Sequence, residues 1–304
     1  MNGSFAAIKS EFLKIAVLLE DLSEDQIKKD PERIYRSCFE GLNRLAATQV
    51  PHDIVEKLLT DEMLLPVIAR ISHLRRLTGL GLEVQYAKSV VADSDPWARI
   101  RKFPYYSNYL ALACMEVTGA KLKPRDRIVF LGSGPLPLSL ISLAKGHDIQ
   151  SVGIEQDEQL AALSREVIRK LGLEHSISVL HGNHFSLPLK GFENLIMVGA
   201  DASPKDVIFA HLSRILSPGQ MISYRIYEKG LRRLLDNQSM FDPAPEFVEC
   251  ARIRPVPPVN NTSVFAVRAV EKSEKSEKTL EFAGKREITE HAPYPHHEKL
   301  ENNV

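Results

Sequence analysis

Cysteine is scarce in this chain. Cys38, Cys114 and Cys250 are the only three in 304 residues. An odd, dispersed set supplies neither a disulfide framework nor a zinc spacing, and it fits reduced thiols in a cytosol. Charge of one sign is also missing. The 39 basic and 39 acidic side chains give a formal net charge of +0, which removes the electrostatic footprint of a nucleic-acid or anionic-membrane binder. No uncharged apolar run approaches the roughly 20 residues that span a bilayer. Lys9, Glu11, Lys14, Glu20 and Asp21 interrupt the N-terminus, so no signal peptide is expected there. The expected setting is cytoplasmic, with neither nucleic acid nor membrane as partner. The length admits two structural units.

Up to about residue 120 the pattern is helical. Phe5, Ile8, Phe12, Ile15 and Leu19 recur at helical spacing. Asp30-Pro31-Glu32 is a helix start, with Asp30 as cap and Pro31 at the first helical position. A helix is expected over about Asp61–Thr78, interrupted by Gly79 and Gly81 before a second piece, Leu82–Val91. Pro96 opens a further segment that Pro104 bends or breaks.

From Arg127 short apolar strands alternate with helices. The expected strands are Ile128–Leu131, Ser151–Glu155, Ile177–Leu180, Leu195–Val198, Met221–Tyr224, Phe247–Ile253 and Ser263–Val267, and the expected helices Leu136–Lys145, Glu158–Leu171 and Lys205–Leu216. Such alternation predicts a mainly parallel, doubly wound sheet. The last two strands follow without a long helix and form a hairpin. Five alternating strands ending in a hairpin resemble the class I methyltransferase fold. The expected organisation is α/β, a Rossmann-like sheet over residues 123–270 preceded by an all-helical domain over 1–122. The charged Glu271-Lys-Ser-Glu-Lys-Ser-Glu-Lys278 opens a polar tail, 271–304, whose composition favours disorder.

The most informative stretch is Arg127-Ile-Val-Phe-Leu-Gly-Ser-Gly-Pro-Leu-Pro137, followed by Val152-Gly-Ile-Glu155. Strand, glycine turn, helix, second strand and terminal acid, in that order, build a nucleotide-type site. Gly132 and Gly134 allow a tight turn and close ligand approach, and Ser133 and Pro135 complete the loop. Glu155 stands where an acid accepts hydrogen bonds from both ribose hydroxyls. The loop lacks the third glycine of a dinucleotide fingerprint and the Lys-Ser/Thr of a P-loop. These features favour S-adenosylmethionine (SAM) over NAD or ATP. By fold-level analogy, Asn183 after the third strand approaches the adenine amino group.

SAM has three electrophilic carbons on its sulfonium, and the scaffold does not choose among them. Other segments do. Asp95-Pro96-Trp97, Phe103-Pro-Tyr-Tyr-Ser-Asn-Tyr109, Phe130-Leu-Gly-Ser-Gly-Pro-Leu-Pro137, Ser223-Tyr-Arg-Ile-Tyr227 and Asn260-Asn-Thr-Ser-Val264 occur in this order. In these pieces the chain resembles the nicotianamine synthase family, including its bacterial histidine aminobutyryltransferases, from about Leu74 to Val267. The resemblance implies transfer of a 3-amino-3-carboxypropyl group from SAM, as co-substrate, to an amino nitrogen, with release of methylthioadenosine during metallophore biosynthesis. It implies an amino acid or aminobutyryl–amino acid as acceptor. It places Glu83 and Tyr109, from the helical part, beside the reacting amine. A carboxylate there can hold an ammonium by charge and then take its proton, directly or through Tyr109.

Other residues have two readings each. Tyr106 lines the substrate channel or fills an interface. Arg225, expected just after the fifth strand, clamps a substrate carboxylate or makes a structural ion pair. Asn260 and Asn261 bind a carboxylate or shape a turn. The displacement itself calls for no metal. Histidines 291, 296 and 297 in the tail are expected to be solvated rather than ligands. The rival functions are a small-molecule methyltransferase and a non-catalytic SAM-binding protein. A homodimer is compatible with the sequence.

Overall fold

Ser4 caps the first helix, its hydroxyl accepting from the Ala7 amide at 3.4 Å. Helix α1 (Phe5–Leu19) then buries Ile8, Phe12 and Leu19, each worth about 1.5–3 kcal/mol when fully removed from water. A capping box of Ser23 and Gln26 starts α2 (Glu24–Lys29). Asp30 caps α3 (Pro31–Ile34) as its sequence predicts, accepting from the Arg33 amide. A π-helical turn, Tyr35–Phe39, leads into α4 (Glu40–Ala46), and α5 (His52–Leu59) follows. The computed structural model describes residues 4–236, 241–243, 245–269 and the backbone of 286–288.

The next element corrects the sequence expectation. Helix α6 runs unbroken over Leu65–Ala92, 28 residues. It begins at Leu65 rather than Asp61, and neither Gly79 nor Gly81 interrupts it. Gly81 serves packing: a Cβ there would lie 3.0 Å from Pro31 Cβ, so α3 crosses close to α6 at that point. Contacts with α2 and α3 override the weak helix propensity of glycine. Helix α7 (Pro96–Arg101), capped by Asp95, ends before Pro104, and α8 (Tyr106–Ala120) closes the helical layer.

The sheet follows in the expected order: β1 (Arg127–Leu131), α9 (Leu138–His147), β2 (Gln150–Glu155), α10 (Glu158–Lys170), β3 (Ile177–His181), β4 (Leu195–Val198), α11 (Lys205–Ile215), β5 (Met221–Ile226), β6 (Phe247–Ile253) and β7 (Thr262–Arg268). Its strand order is 3-2-1-4-5-7-6, with a short β8 (Arg286–Ile288) beside β6. Strands β1 to β5 are parallel, and β7 runs antiparallel between β5 and β6. This is the class I methyltransferase-like sheet that the alternation predicts. The expectation of a disordered tail falls outside the described residues, apart from β8.

Order reverses between β1 and β4, and in such sheets ligands bind in the crevice beyond the strand ends at that switch point. One hydrophobic cluster joins the helices to the adjoining part of the sheet, from Ile8 and Phe12 through Leu82 to Ile128 and Leu195. A second cluster packs α11 against the sheet, through Phe209, Ile222 and Tyr224. The helical layer is therefore held against the sheet near its crevice.

Candidate active site

The glycine loop leaves β1 and turns at once. Gly132 and Gly134 have φ of +79° and +71°, values that a side chain disfavours. The Gly132 amide donates to the Ile154 carbonyl at 2.9 Å, which ties the loop to β2. Glu155, 7 % exposed at the end of β2, accepts from the Gly134 amide at 3.0 Å and from the Asp157 amide at 3.0 Å. Loop and acid are thus fixed together before any ligand binds. Ser133 is buried, and its hydroxyl has no hydrogen-bond partner.

Glu83 reaches this loop from α6. Its Oε2 lies 2.7 Å from where a Cβ on Gly134 would stand. Tyr109 of α8 donates to Glu83 Oε1 at 3.1 Å. The structure therefore brings together the two residues singled out for the amine chemistry. Enclosure by protein pushes the Glu83 carboxyl up to about 8, and the negative charges of Asp201 and Glu155 add to the rise, while the Tyr109 hydrogen bond opposes it. The Tyr109 phenol is raised well above its ordinary value, first by burial and then by Glu83. A carboxyl poised near neutrality is suited to exchanging a proton with an amine.

Tyr109 and Tyr105 are one helical turn apart, so both face inward. Tyr105 accepts from the Asn43 side chain at 3.1 Å and lies near the charge of Arg75. Tyr106 sits about 100° further round the helix. It is partly buried, and the charge of Arg101 acts on it.

Arg225 lies within β5, opposite Ser263 of β7, and not beyond the strand as expected. Antiparallel pairing with β7 prolongs the strand to Ile226. Its Nε donates to Glu116 Oε1 at 3.1 Å and its Nη1 to Ser139 Oγ at 3.1 Å. The ion pair is almost dry, with side chains 6 % and 1 % exposed. Ser263 Oγ donates to the same Glu116 oxygen at 3.2 Å. Arg225 Nη2 and Glu116 Oε2 remain without hydrogen-bond partners, as do Asn260 Oδ1 and the amide nitrogen of Asn261, which is buried. Buried polar atoms are seldom left unpaired, and of these four the Arg225 Nη2 and the Asn261 side-chain nitrogen are donors of the kind that hold a carboxylate. Asn183, after β3, uses its Oδ1 to cap a 3-10 turn, accepting from the Phe185 amide at 2.9 Å.

Arg75, Glu116, Ser139 and Asp201 did not emerge from the sequence. Arg75 lay inside a helix whose pattern reads as packing. Asp201 had a usable signal, since it follows β4 at the ligand-binding end of the sheet.

The comparisons with known proteins agree with this geometry. The family model described as "Nicotianamine synthase protein" matches residues 5–273. "Nicotianamine synthase 3" of Oryza sativa subsp. indica is 28% identical over 158 residues, covering 47% of this chain and 46% of its own. The "Nicotianamine synthase" of Solanum lycopersicum is 27% identical over 172 residues, covering 51% of this chain and 53% of its own. The chain thus spans about half the length of the curated relatives it matches. A crystal structure of a Glu→Gln mutant of MtNAS in complex with S-adenosylmethionine superposes with a TM-score of 0.76 at 25% identity, covering 86% of this chain and 98% of that one. MtNAS in complex with MTA and tNA gives a TM-score of 0.74 at 25% identity, with 87% and 98% covered. With a family model matched over nearly the whole described chain, this protein belongs to the nicotianamine synthase family.

Proposed function

We propose that the protein is a cytoplasmic SAM-dependent 3-amino-3-carboxypropyltransferase that acts on an amino nitrogen in the making of a metallophore. The observation that carries this is the Tyr109–Glu83 pair, hydrogen-bonded at 3.1 Å and set directly over Gly134 of the glycine loop. A methyl transfer needs no base there unless its acceptor is an amine or a hydroxyl, whereas an amino-acid acceptor arrives as an ammonium and must lose a proton.

The site supports a division of labour. Gly132, Ser133, Gly134, Pro135 and Glu155 hold the adenosine part of SAM, with Glu155 on the ribose hydroxyls and Asn183 near the base. Arg225 Nη2 and the side chains of Asn260 and Asn261 take the carboxylate of its methionine chain. That leaves the Cγ–S bond between these two groups, facing Glu83 and Tyr109. The acceptor ammonium is held by Glu83 in its ionised form and gives up a proton to it. The neutral nitrogen attacks Cγ, a C–N bond forms, and the Cγ–S bond breaks. Its electron pair stays on sulfur, which leaves as neutral methylthioadenosine. The new secondary ammonium then releases its second proton. Alignment of the amine behind the Cγ–S bond supplies most of the acceleration.

The test is one incubation with SAM and a mixture of the protein amino acids, followed by mass spectrometry. Methylthioadenosine and an acceptor carrying an added aminobutyryl group are expected. Release of S-adenosylhomocysteine with a methylated acceptor would replace this function with methyl transfer. Binding of SAM with no product from any acceptor would replace it with a binding role.

A further inference from the structure

Two adjacent arginines on α6 have different fates. Arg76 finds a buried counter-charge, Asp236, at 3.3 Å. Arg75 does not. Its Nε donates to the Leu235 carbonyl at 2.9 Å and its Nη1 to the Tyr227 hydroxyl at 3.3 Å. Its guanidinium lies 5.0 Å from the centre of the Tyr227 ring. Its Nη2 is buried without a hydrogen-bond partner. The nearest carboxylate oxygen, Asp201 Oδ1, is 4.0 Å away, beyond hydrogen-bond reach, and the Asp201 side chain is 60% exposed while that of Arg75 is 13% exposed. A guanidinium fixed at two of its nitrogens with the third left bare is oriented for an anionic oxygen.

Asp201 links this group to the chemistry. It stands on the loop between β4 and α11, where Lys205 anchors the turn by donating to the Ala200 carbonyl at 2.5 Å. The residue after Asp201, Ala202, has its Cβ 3.6 Å from where a Cβ on Gly132 would stand, so this loop borders the glycine loop, and the charge of Asp201 acts on Arg75, Glu83 and Tyr109. One cation and one anion, offset by 4.0 Å, complement a zwitterion whose ammonium and carboxylate are about 3 Å apart through two bonded carbons.

We propose that Arg75 and Asp201 form the acceptor subsite, Arg75 Nη2 taking the carboxylate of an α-amino acid and Asp201 steering its ammonium toward Glu83. This rests on the transferase function above. It makes the acceptor an α-amino acid, or an aminobutyryl derivative that keeps such an end, and not a simple amine. It also separates two carboxylate anchors: Arg225 with Asn261 for the donor, Arg75 for the acceptor.

The experiment takes the best acceptor among the protein amino acids in a methylthioadenosine-release assay and compares it with the amine left when its carboxylate is removed. Parent, Arg75→Gln, Arg75→Lys and Asp201→Asn are compared in the full chain, with SAM affinity measured by calorimetry. Arg75→Gln should raise the KM of the amino acid about 10–100-fold, the worth of a charge-assisted hydrogen bond, with SAM affinity unchanged. Discrimination between acid and amine should collapse in that variant and persist in part in Arg75→Lys. Asp201→Asn, at an exposed position that tolerates exchange, should raise the KM of both, because both carry the ammonium. A folded Arg75→Gln that still discriminates against the amine, or an Asp201→Asn with parental KM, would reduce the pair to a loose ion pair and overturn the subsite. If no acceptor releases methylthioadenosine from the parent, the transferase function falls and the subsite falls with it. If Arg75→Gln does not fold, Asp201→Asn and Arg75→Lys decide alone.

Discussion

The Glu83 carboxylate occupies the space that a side chain on Gly134 would need, with Oε2 2.7 Å from the Cβ position. One residue comes from the middle of a 28-residue helix and the other from the turn after the first strand. Their contact joins the helical layer to the nucleotide-type loop. It places a strongly shifted carboxyl against the backbone that would carry the cofactor-like substrate.

Gly134→Ala therefore has two effects. The left-handed backbone, φ +71°, costs a residue with a Cβ about 1–2 kcal/mol. The new methyl also forces Glu83 away from Tyr109. Thermal unfolding should show a modest loss of stability, while turnover should fall far more than stability does. Parental turnover in a folded variant would mean that Glu83 does not need its seat on the loop.

The raised Glu83 carboxyl makes stability depend on pH. In the native chain it stays protonated up to about 8, against an ordinary value of 4.5. Between these values the folded state binds a proton that the unfolded state has lost. The stability it contributes is complete below about 4.5 and is lost as pH rises through about 8. Glu83→Gln removes the cost of the buried charge. Its unfolding free energy should gain on the parent's as pH rises across that window, by on the order of 1–3 kcal/mol, the carboxylate being partly open to crevice water, and its melting temperature should rise relative to the parent's in the same direction. A constant difference from acid to alkaline pH would contradict a raised carboxyl.

Glu155→Ala should weaken SAM binding by about 1–3 kcal/mol, the worth of charge-assisted hydrogen bonds. It also frees the Gly134 amide, so the loop loses its tether. Calorimetry on a folded variant that shows parental affinity would remove Glu155 from the nucleotide site.

The sheet was legible because each strand is a short apolar run and three of the connections, those holding α9, α10 and α11, carry their own helix signals. Asp157 caps α10 through the Gln159 and Leu160 amides, a local signal of the kind a sequence carries. The glycine loop and its acid were legible because turn geometry restricts residue type. The unbroken α6 was not, because Gly79 and Gly81 look like stops until Pro31 is known to lie against Gly81. Glu116 was hidden for a related reason. It sits on α8, far from Arg225 in sequence, and only the packing of α8 against β5 and β7 brings the two together. Local pattern records what a residue does to its own segment. It says little about charges that meet across 109 positions.

That buried pair gives a prediction of its own. Glu116→Gln leaves Arg225 charged and uncompensated, which should cost about 3–5 kcal/mol in unfolding free energy. Adding Arg225→Met should restore much of that stability, because replacing both members removes the unpaired charge. SAM affinity should remain poor in the double variant, since the free Nη2 is gone. Recovery of SAM binding along with stability would make Arg225 purely structural.

Tyr109→Phe tests the amine chemistry most directly. Phenylalanine keeps the ring, and with it the packing against Phe103, whose centroid lies 6.3 Å away. Only the hydroxyl that donates to Glu83 is lost. Two effects follow, and both lower turnover. Without that hydrogen bond the Glu83 carboxyl should rise further, because the bond is what opposes its desolvation. Less of it is then ionised at neutral pH to take a proton from the ammonium. Any relay through the phenol disappears as well. SAM affinity should stay near the parental value, because the adenosine contacts lie in the glycine loop and beyond. Turnover should fall by about 10²–10⁴, the usual contribution of a positioned acid or base. The deficit should shrink as pH rises, since both Glu83 and the acceptor amine shed their protons in that direction. A pH profile of turnover for parent and variant distinguishes this from a packing defect, which would lower both curves equally at every pH. If the variant releases methylthioadenosine at the parental rate, the phenol takes no part in the proton transfer, and Glu83 would have to act alone.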